Sequence, residues 1–422
     1  MASPKPFKIA VSDELLAFIT QRVSTARLPP GIDLPSSEAW SHGVPTPVIS
    51  QLQQYWTHKY DWRAVEAKIN GHLRMFTLPI NHDGEDLTIH FVHHRSSREG
   101  AIPLLFQHGW PGNFLEVDKI IDELVEPKDG GQAYHVVAPS LPGFVFSDMS
   151  QRGDFSLCDI AHIDHKLMTA LGYETYMGQG GDWGSTVVRF IAALYPDNCV
   201  AIHVNMVIAG PPSWWKQPIA FVQFILWAIW QDKSKDGGLL GRMMWWREEE
   251  NGYMEIQGTK PQTLSYALVD SPIGMLAWIR DKVEHLVDDD FTWEEEELIT
   301  WTMLYLIPGT AGHASIYKNG KAKSQLAKVT SIISTPLPKT VDFGASIFPK
   351  DVLNIPHFWA SSTVSRNIIF WRTHDKGGHF PSIEKPDELI KDIRDFTELV
   401  NSGRKEDLIL GGKEGGRGEL RM

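Results

Sequence analysis

The chain has 422 residues, of which 42% are hydrophobic and 22% charged, the balance of a globular protein able to bury a sizeable core. Its 40 basic and 52 acidic side chains give a net charge of -12, which argues against a nucleic-acid footprint. Two cysteines, Cys158 and Cys199, cannot build a disulfide framework and read as small hydrophobes in apolar contexts, so a reducing, cytoplasmic setting is expected.

The N-terminus shows no basic segment followed by an apolar run, and neither a signal peptide nor a membrane anchor is expected. Ser12 reads as the N-cap of a helix bearing Leu15, Leu16, Ile19 and Val23 on one face, stopped at Leu28-Pro29-Pro30. A second helical run follows Pro47, carries Ile49, Leu52, Tyr55 and Trp56, and ends near Trp62. Strands are predicted at Met75 to Ile80 and Leu87 to His94. His93 and His94, adjacent on a strand, point to opposite faces and make no metal site.

From Ile102 the pattern alternates between strand and helix. The apolar runs Ile102 to Phe106 and Tyr134 to Ala138 read as central parallel strands, and the first empties into His108-Gly109-Trp110-Pro111-Gly112. Ser156 and Asp159 form the signature of a capped helix that stops at Gly172. A strand from Tyr173 to Gly178, a helix to Tyr195-Pro196 and a strand from Val200 to Met206 follow. Repeated strand, turn and helix define a doubly wound α/β sheet.

The sheet pattern stops near residue 207 and resumes near 335. The intervening stretch is rich in aromatics at helical spacing, and its most apolar window, Pro218 to Trp230, reads as a buried or pocket-lining helix too short to cross a bilayer. Asp288-Asp289-Asp290 and Glu294 to Glu297 read as solvated faces and helix N-terminal charges rather than metal ligands. Strands return at Pro338 to Phe343 and Asn367 to Arg372. The chain thus divides into a meander over 1–95, a core over 96–206 and 335–402, a helical lid over 207–334 and a tail over 403–422 expected to be disordered.

The chemistry concentrates at strand ends, where open α/β sheets present reacting groups. Gly180-Gly181-Asp182-Trp183-Gly184 has the small-x-nucleophile-x-small spacing of a nucleophile elbow, with Asp182 in the nucleophile's place. A dinucleotide loop would need glycine where Trp183 stands. Asp351 in Phe348-Pro349-Lys350-Asp351 and His379 after Gly377-Gly378 complete the order nucleophile, acid, histidine of α/β hydrolases. Asp342 and Asp375 also lie near strand ends and compete with Asp351 for the acid's role.

A carboxylate nucleophile suits attack on a saturated carbon, because the product is an ester that water can cleave, whereas a serine would leave an inert ether. His379 would activate that water, Asp351 would orient the imidazole, and the backbone N–H groups of Trp110 and Trp183 would hold the oxyanion. No cofactor or metal is required.

Together with Ala26-Arg27-Leu28-Pro29 and Tyr60-Asp61-Trp62-Arg63 ahead of the core, and Gly377-Gly378-His379-Phe380, these motifs resemble the microsomal-type epoxide hydrolases, including their soluble fungal members, from about Phe7 to about Val400. The resemblance implies an α/β-hydrolase fold with an N-terminal meander and a helical lid. It also implies two lid tyrosines that donate a proton to the epoxide oxygen, matched here by Tyr253 and Tyr317. A phenol, with a pKa near ~10, can protonate a departing alkoxide and stay protonated at neutral pH. The expected partners are a small apolar epoxide and water, and the aromatic lid is compatible with a homodimer. The rivals are a haloalkane or haloacid dehalogenase on the same fold and a non-catalytic hydrolase-like binding protein; paired lid tyrosines favour the epoxide, and the intact nucleophile and base favour an enzyme.

Overall fold

The computed structural model describes residues 3–234, 237–309, 312–321 and 326–403. Its sheet has nine strands: β1 (Lys5–Phe7), β2 (Met75–His82), β3 (Glu85–His94), β4 (Ile102–Gln107), β5 (Tyr134–Pro139), β6 (Tyr176–Gly180), β7 (Cys199–Val204), β8 (Asp342–Ile347) and β9 (Ile368–Thr373). They lie in the order β1-β2-β3-β5-β4-β6-β7-β8-β9. The first three and the β3–β5 pair are antiparallel, and every pair from β5 to β9 is parallel. β2 and β3 are joined at Asp83 and Gly84, both with positive φ (49 and 85), the geometry an Asp-Gly hairpin adopts because its twist matches that of the strands.

The fully apolar runs become strands buried along their whole length, as in β4 and β7, because helices cover both faces of a parallel sheet. Ser156 and Asp159 form the expected capping box of helix Leu157–Ala170. Helix Asp182–Leu194 connects β6 to β7. Between β7 and β8 the described chain is helical, running from Pro218–Trp230 to Leu326–Ser334. No helix among the described residues is long and apolar enough to cross a membrane.

Several details depart from the sequence reading. A short first strand, Lys5–Phe7, adds to the sheet edge. A third helix, Trp62–His72, follows the second, with Asp61 as its N-cap accepting from the amides of Arg63 and Ala64. Its buried face contains Glu66, which accepts from the Val11 amide at 2.8 Å and pairs with Arg63 at 2.7 Å, so its pattern is not cleanly apolar. β8 begins at Asp342, four residues later than Pro338. The helix Pro218–Trp230 is not buried: Ile219 is 76% and Trp230 81% exposed. Only its inner side packs, through Phe224 and Trp227 against Trp359; a helix apolar all round carries no sequence signal of which face turns inward.

His93 and His94 each have a protein partner, the Tyr173 hydroxyl at 2.9 Å and the Arg74 amide at 2.9 Å. The tail from residue 404 onward lies outside the described residues.

Candidate active site

The site is assembled from four backbone turns that follow strands at one end of the sheet. After β6, Gly181 is extended and Asp182 opens the helix with φ 47, a left-handed conformation uncommon outside glycine. The elbow glycines are required by contact. A Cβ on Gly180 would meet the Gly184 carbonyl at 2.5 Å, and one on Gly184 would meet the Gln107 carbonyl oxygen at 2.0 Å. The bend therefore presses against β4 and lifts Asp182 out of the strand line.

The turn after β4 approaches just as closely, since a Cβ on Gly109 would meet Asp182 Oδ1 at 2.2 Å. The Trp110 N–H donates to that oxygen at 2.7 Å. Desolvation raises the Asp182 carboxyl, while His379 and the N–H groups of Trp110 and Trp183 pull it back. The other oxygen, Oδ2, lies 3.5 Å from His379 Nε2.

His379 is brought there by the loop after β9. Its Nδ1 lies 2.5 Å from Asp351 Oδ1. Asp351 is itself fixed by the Val352 amide at 2.7 Å and the Asn354 side chain at 3.3 Å, and is 1% exposed. Burial pushes the imidazole down, but Asp351, then Asp182 and Glu116, outweigh it and carry the ring up to about 9. Asp342, at the start of β8, lies at the opposite end of that strand from the site, and Asp375 is exposed, so the structure brings Asp351 to His379 and neither of the other two.

Above Asp182 the helical segment closes an aromatic box. The Tyr253 ring stacks on Trp110 at 4.9 Å, and Tyr317 stands edge-on to Trp110, Trp183 and Tyr253 at 5.7, 5.2 and 5.6 Å. Tyr253 enters just after a π-helical turn, Trp246–Glu250, a widening of the helix common near functional sites. Tyr317 sits on helix Gly312–Gly320, whose first residue packs backbone to backbone on Gly143: a Cβ on Gly143 would meet Gly312 Cα at 2.8 Å. Burial, then the Asp182 charge, drives the Tyr253 phenol upward; burial, Tyr253 and Asp182 drive Tyr317. The buried Tyr317 hydroxyl makes no hydrogen bond of ordinary geometry among the described residues.

Three groups around this centre escaped the sequence reading. Asp288, taken there for a solvated charge, is 6% exposed and accepts from the Gly377 amide. Its own amide donates to Glu384 at 2.7 Å, and Glu384 also accepts from the Phe380 amide at 3.0 Å, so the loop bearing His379 is tied to the segment around Asp288 on both sides. Arg242, 3% exposed, donates to the carbonyls of Lys350 and His285 at 2.6 Å each, clamping the residue before Asp351. Glu116 is buried beneath the His108–Gly112 turn. In sequence Asp288 is one of three consecutive aspartates, and Arg242 and Glu116 are single charges among apolar residues, with no motif to single any of them out.

The sheet order and the elbow, acid and histidine at its strand ends define a protein of the α/β-hydrolase fold that carries aspartate at the elbow. Residues 4–117 match the family described as epoxide hydrolase N terminus, and residues 102–229 match the alpha/beta hydrolase fold. The chain is 31% identical to epoxide hydrolase 1 of Sus scrofa, over 94% of this chain and 89% of that one. The solved structure of Aspergillus niger epoxide hydrolase is similar at a TM-score of 0.79 and 31% identity, covering 94% of this chain and 97% of that one. Juvenile hormone epoxide hydrolase of the silkworm Bombyx mori gives a TM-score of 0.82 at 26% identity, covering 96% of each chain. The chain belongs to the epoxide hydrolase family.

Proposed function

We propose that this enzyme converts small apolar epoxides to vicinal diols through an ester on Asp182, hydrolysed by water that His379 activates. The observation that carries the reading is the division of labour between the two oxygens of Asp182. Oδ1 is held by the Trp110 N–H at 2.7 Å, while Oδ2 faces His379 at 3.5 Å.

In this scheme Oδ2 attacks an epoxide carbon as the carbon–oxygen bond of the ring breaks, and Tyr253 and Tyr317 hydrogen-bond the departing oxygen and supply its proton. Their raised affinity for protons keeps them as phenols until an alkoxide forms. The ester's carbonyl oxygen is then Oδ1, already beside the N–H groups of Trp110 and Trp183 that would stabilise the tetrahedral oxyanion. Water attacks the carbonyl carbon, His379 Nε2 takes its proton, and Asp351 holds the resulting imidazolium through Nδ1. Collapse releases the diol and regenerates the carboxylate. The phenolate recovers its proton through solvent from the imidazolium, so the net reaction is epoxide plus water to diol.

The test is a single turnover in ¹⁸O-water with enzyme in excess. The first diol released should carry unlabelled oxygen from Asp182, the label entering the carboxylate instead; a fully labelled first diol would mean direct attack by water. Haloalkanes offered in parallel should not be turned over, because a leaving halide needs N–H donors rather than a proton.

A further inference from the structure

The turn after β4 holds an acid that the scheme above leaves unused. Glu116 lies in the short helical turn Phe114–Val117, whose first residue follows Asn113, the side chain of which accepts from the Leu115 amide. It is 8% exposed. Its carboxyl rests so tightly over Gly112 that a Cβ there would meet Oε1 at 1.7 Å and the Gly109 carbonyl oxygen at 3.4 Å. Asp182 rests on Gly109 of the same bend. One turn of bare backbone thus supports two carboxyl groups, and glycine at both contact points is what lets them come so near.

The titratable groups that bear on Glu116 are His379, which favours its ionised form, and Asp182, which opposes it. Tyr305, from the lid, completes the set: its hydroxyl donates to the Gly112 carbonyl at 2.7 Å, and it feels the charge of both acids. Burial outweighs the rest and carries Glu116 up to about 8. Two neighbouring acids in one desolvated pocket do not both ionise, and their protons are shared out between them.

The covalent scheme upsets this balance. Once Asp182 is an ester its charge is gone, and His379 loses one of the anions that held its ring basic against burial. At the same moment Glu116 loses the charge that opposed its ionisation.

We propose that Glu116 is a positioning residue for the hydrolytic half-reaction: neutral while Asp182 is a carboxylate, it ionises when Asp182 becomes an ester, and so keeps a negative charge near His379 as water is deprotonated. The Glu116 O–H bond breaks as the ester forms, its proton passing to solvent, and re-forms from solvent when Asp182 is released. No further reactant is needed.

The inference rests on the ester intermediate, so its test measures ester formation and ester decay separately. Rapid quench of the enzyme with styrene oxide, followed by mass analysis of the Asp182 peptide, reads both rates. Glu116→Gln, close in shape but unable to ionise, should form the ester at the wild-type rate and hydrolyse it at least about tenfold more slowly, the effect of one unit of basicity at His379. Glu116→Asp, which keeps an ionisable group, should retain most of the decay rate. Unchanged decay in Glu116→Gln would overturn the proposal, as would equal loss of formation and decay, which marks a packing role, or decay as slow in Glu116→Asp as in Glu116→Gln. If no ester forms even when His379 is replaced, the covalent reading itself fails, a result distinct from all of these.

Discussion

His379 Nε2 and Asp182 Oδ2 stand 3.5 Å apart, too far for a strong hydrogen bond yet close enough that each governs the other's charge. With Asp351 at 2.5 Å on its other nitrogen, the ring lies between two carboxylates and holds its proton to about 9. The two carboxylates therefore favour the protonated ring.

Replacing His379 with Gln should stop turnover after alkylation. The Asp182 peptide should gain the mass of one epoxide molecule and keep it over hours. An unmodified peptide under excess epoxide would contradict the covalent scheme.

In the proposed scheme the tyrosines act one step earlier. Changing Tyr253 and Tyr317 together to Phe should slow ester formation by roughly 100-fold or more, the usual size of general-acid catalysis, while ester decay stays near the wild-type rate. Each single change should cost less, because the other phenol remains. Pre-steady-state alkylation rates check this.

The raised His379 pKa has a consequence for stability. Its contribution is complete below pH 6.5, the ordinary value, and is lost as the pH rises through about 9. Wild-type enzyme should therefore lose melting temperature between pH 6.5 and 9 more steeply than His379→Gln. Parallel pH profiles of Tm for the two proteins would exclude the coupling.

Arg242 tests the link between lid and acid loop. Its hydrogen bonds to the Lys350 and His285 carbonyls are charge-assisted, so Arg242→Ala should destabilise the fold by about 1.5–3 kcal/mol. It should also lower kcat through looser seating of Asp351. Chemical denaturation and steady-state kinetics read the two effects.

The candidate site was legible because its groups sit beside glycines that close contacts require. Asp182 and His379 follow strands that end in such turns, and the close contacts at Gly180, Gly184 and Gly378 explain why. What stayed hidden depends on partners distant in sequence. β1 is three residues long and exists through its pairing with β2. β8 runs through Gly344 and Ser346, which look unlike strand but are demanded by neighbours: a Cβ on Gly344 would meet Phe396 at 2.6 Å, and Ser346 bonds His203 at 3.0 Å. Asp288 looks solvated until the amide of Gly377, 89 residues away, turns it inward. Glu116 gains its character from a turn and a helix that only folding brings together.

The contact between Gly143 and Gly312 bears on how such an enzyme can change its diet. The helix bearing Tyr317 is seated on the core main chain itself, so the spacing between its first residue and the Gly143 turn is set by backbone thickness. Side chains lining the pocket can therefore change without altering how this helix is seated on the core. Selection can act on the shape of the pocket and on its chemistry as separate traits.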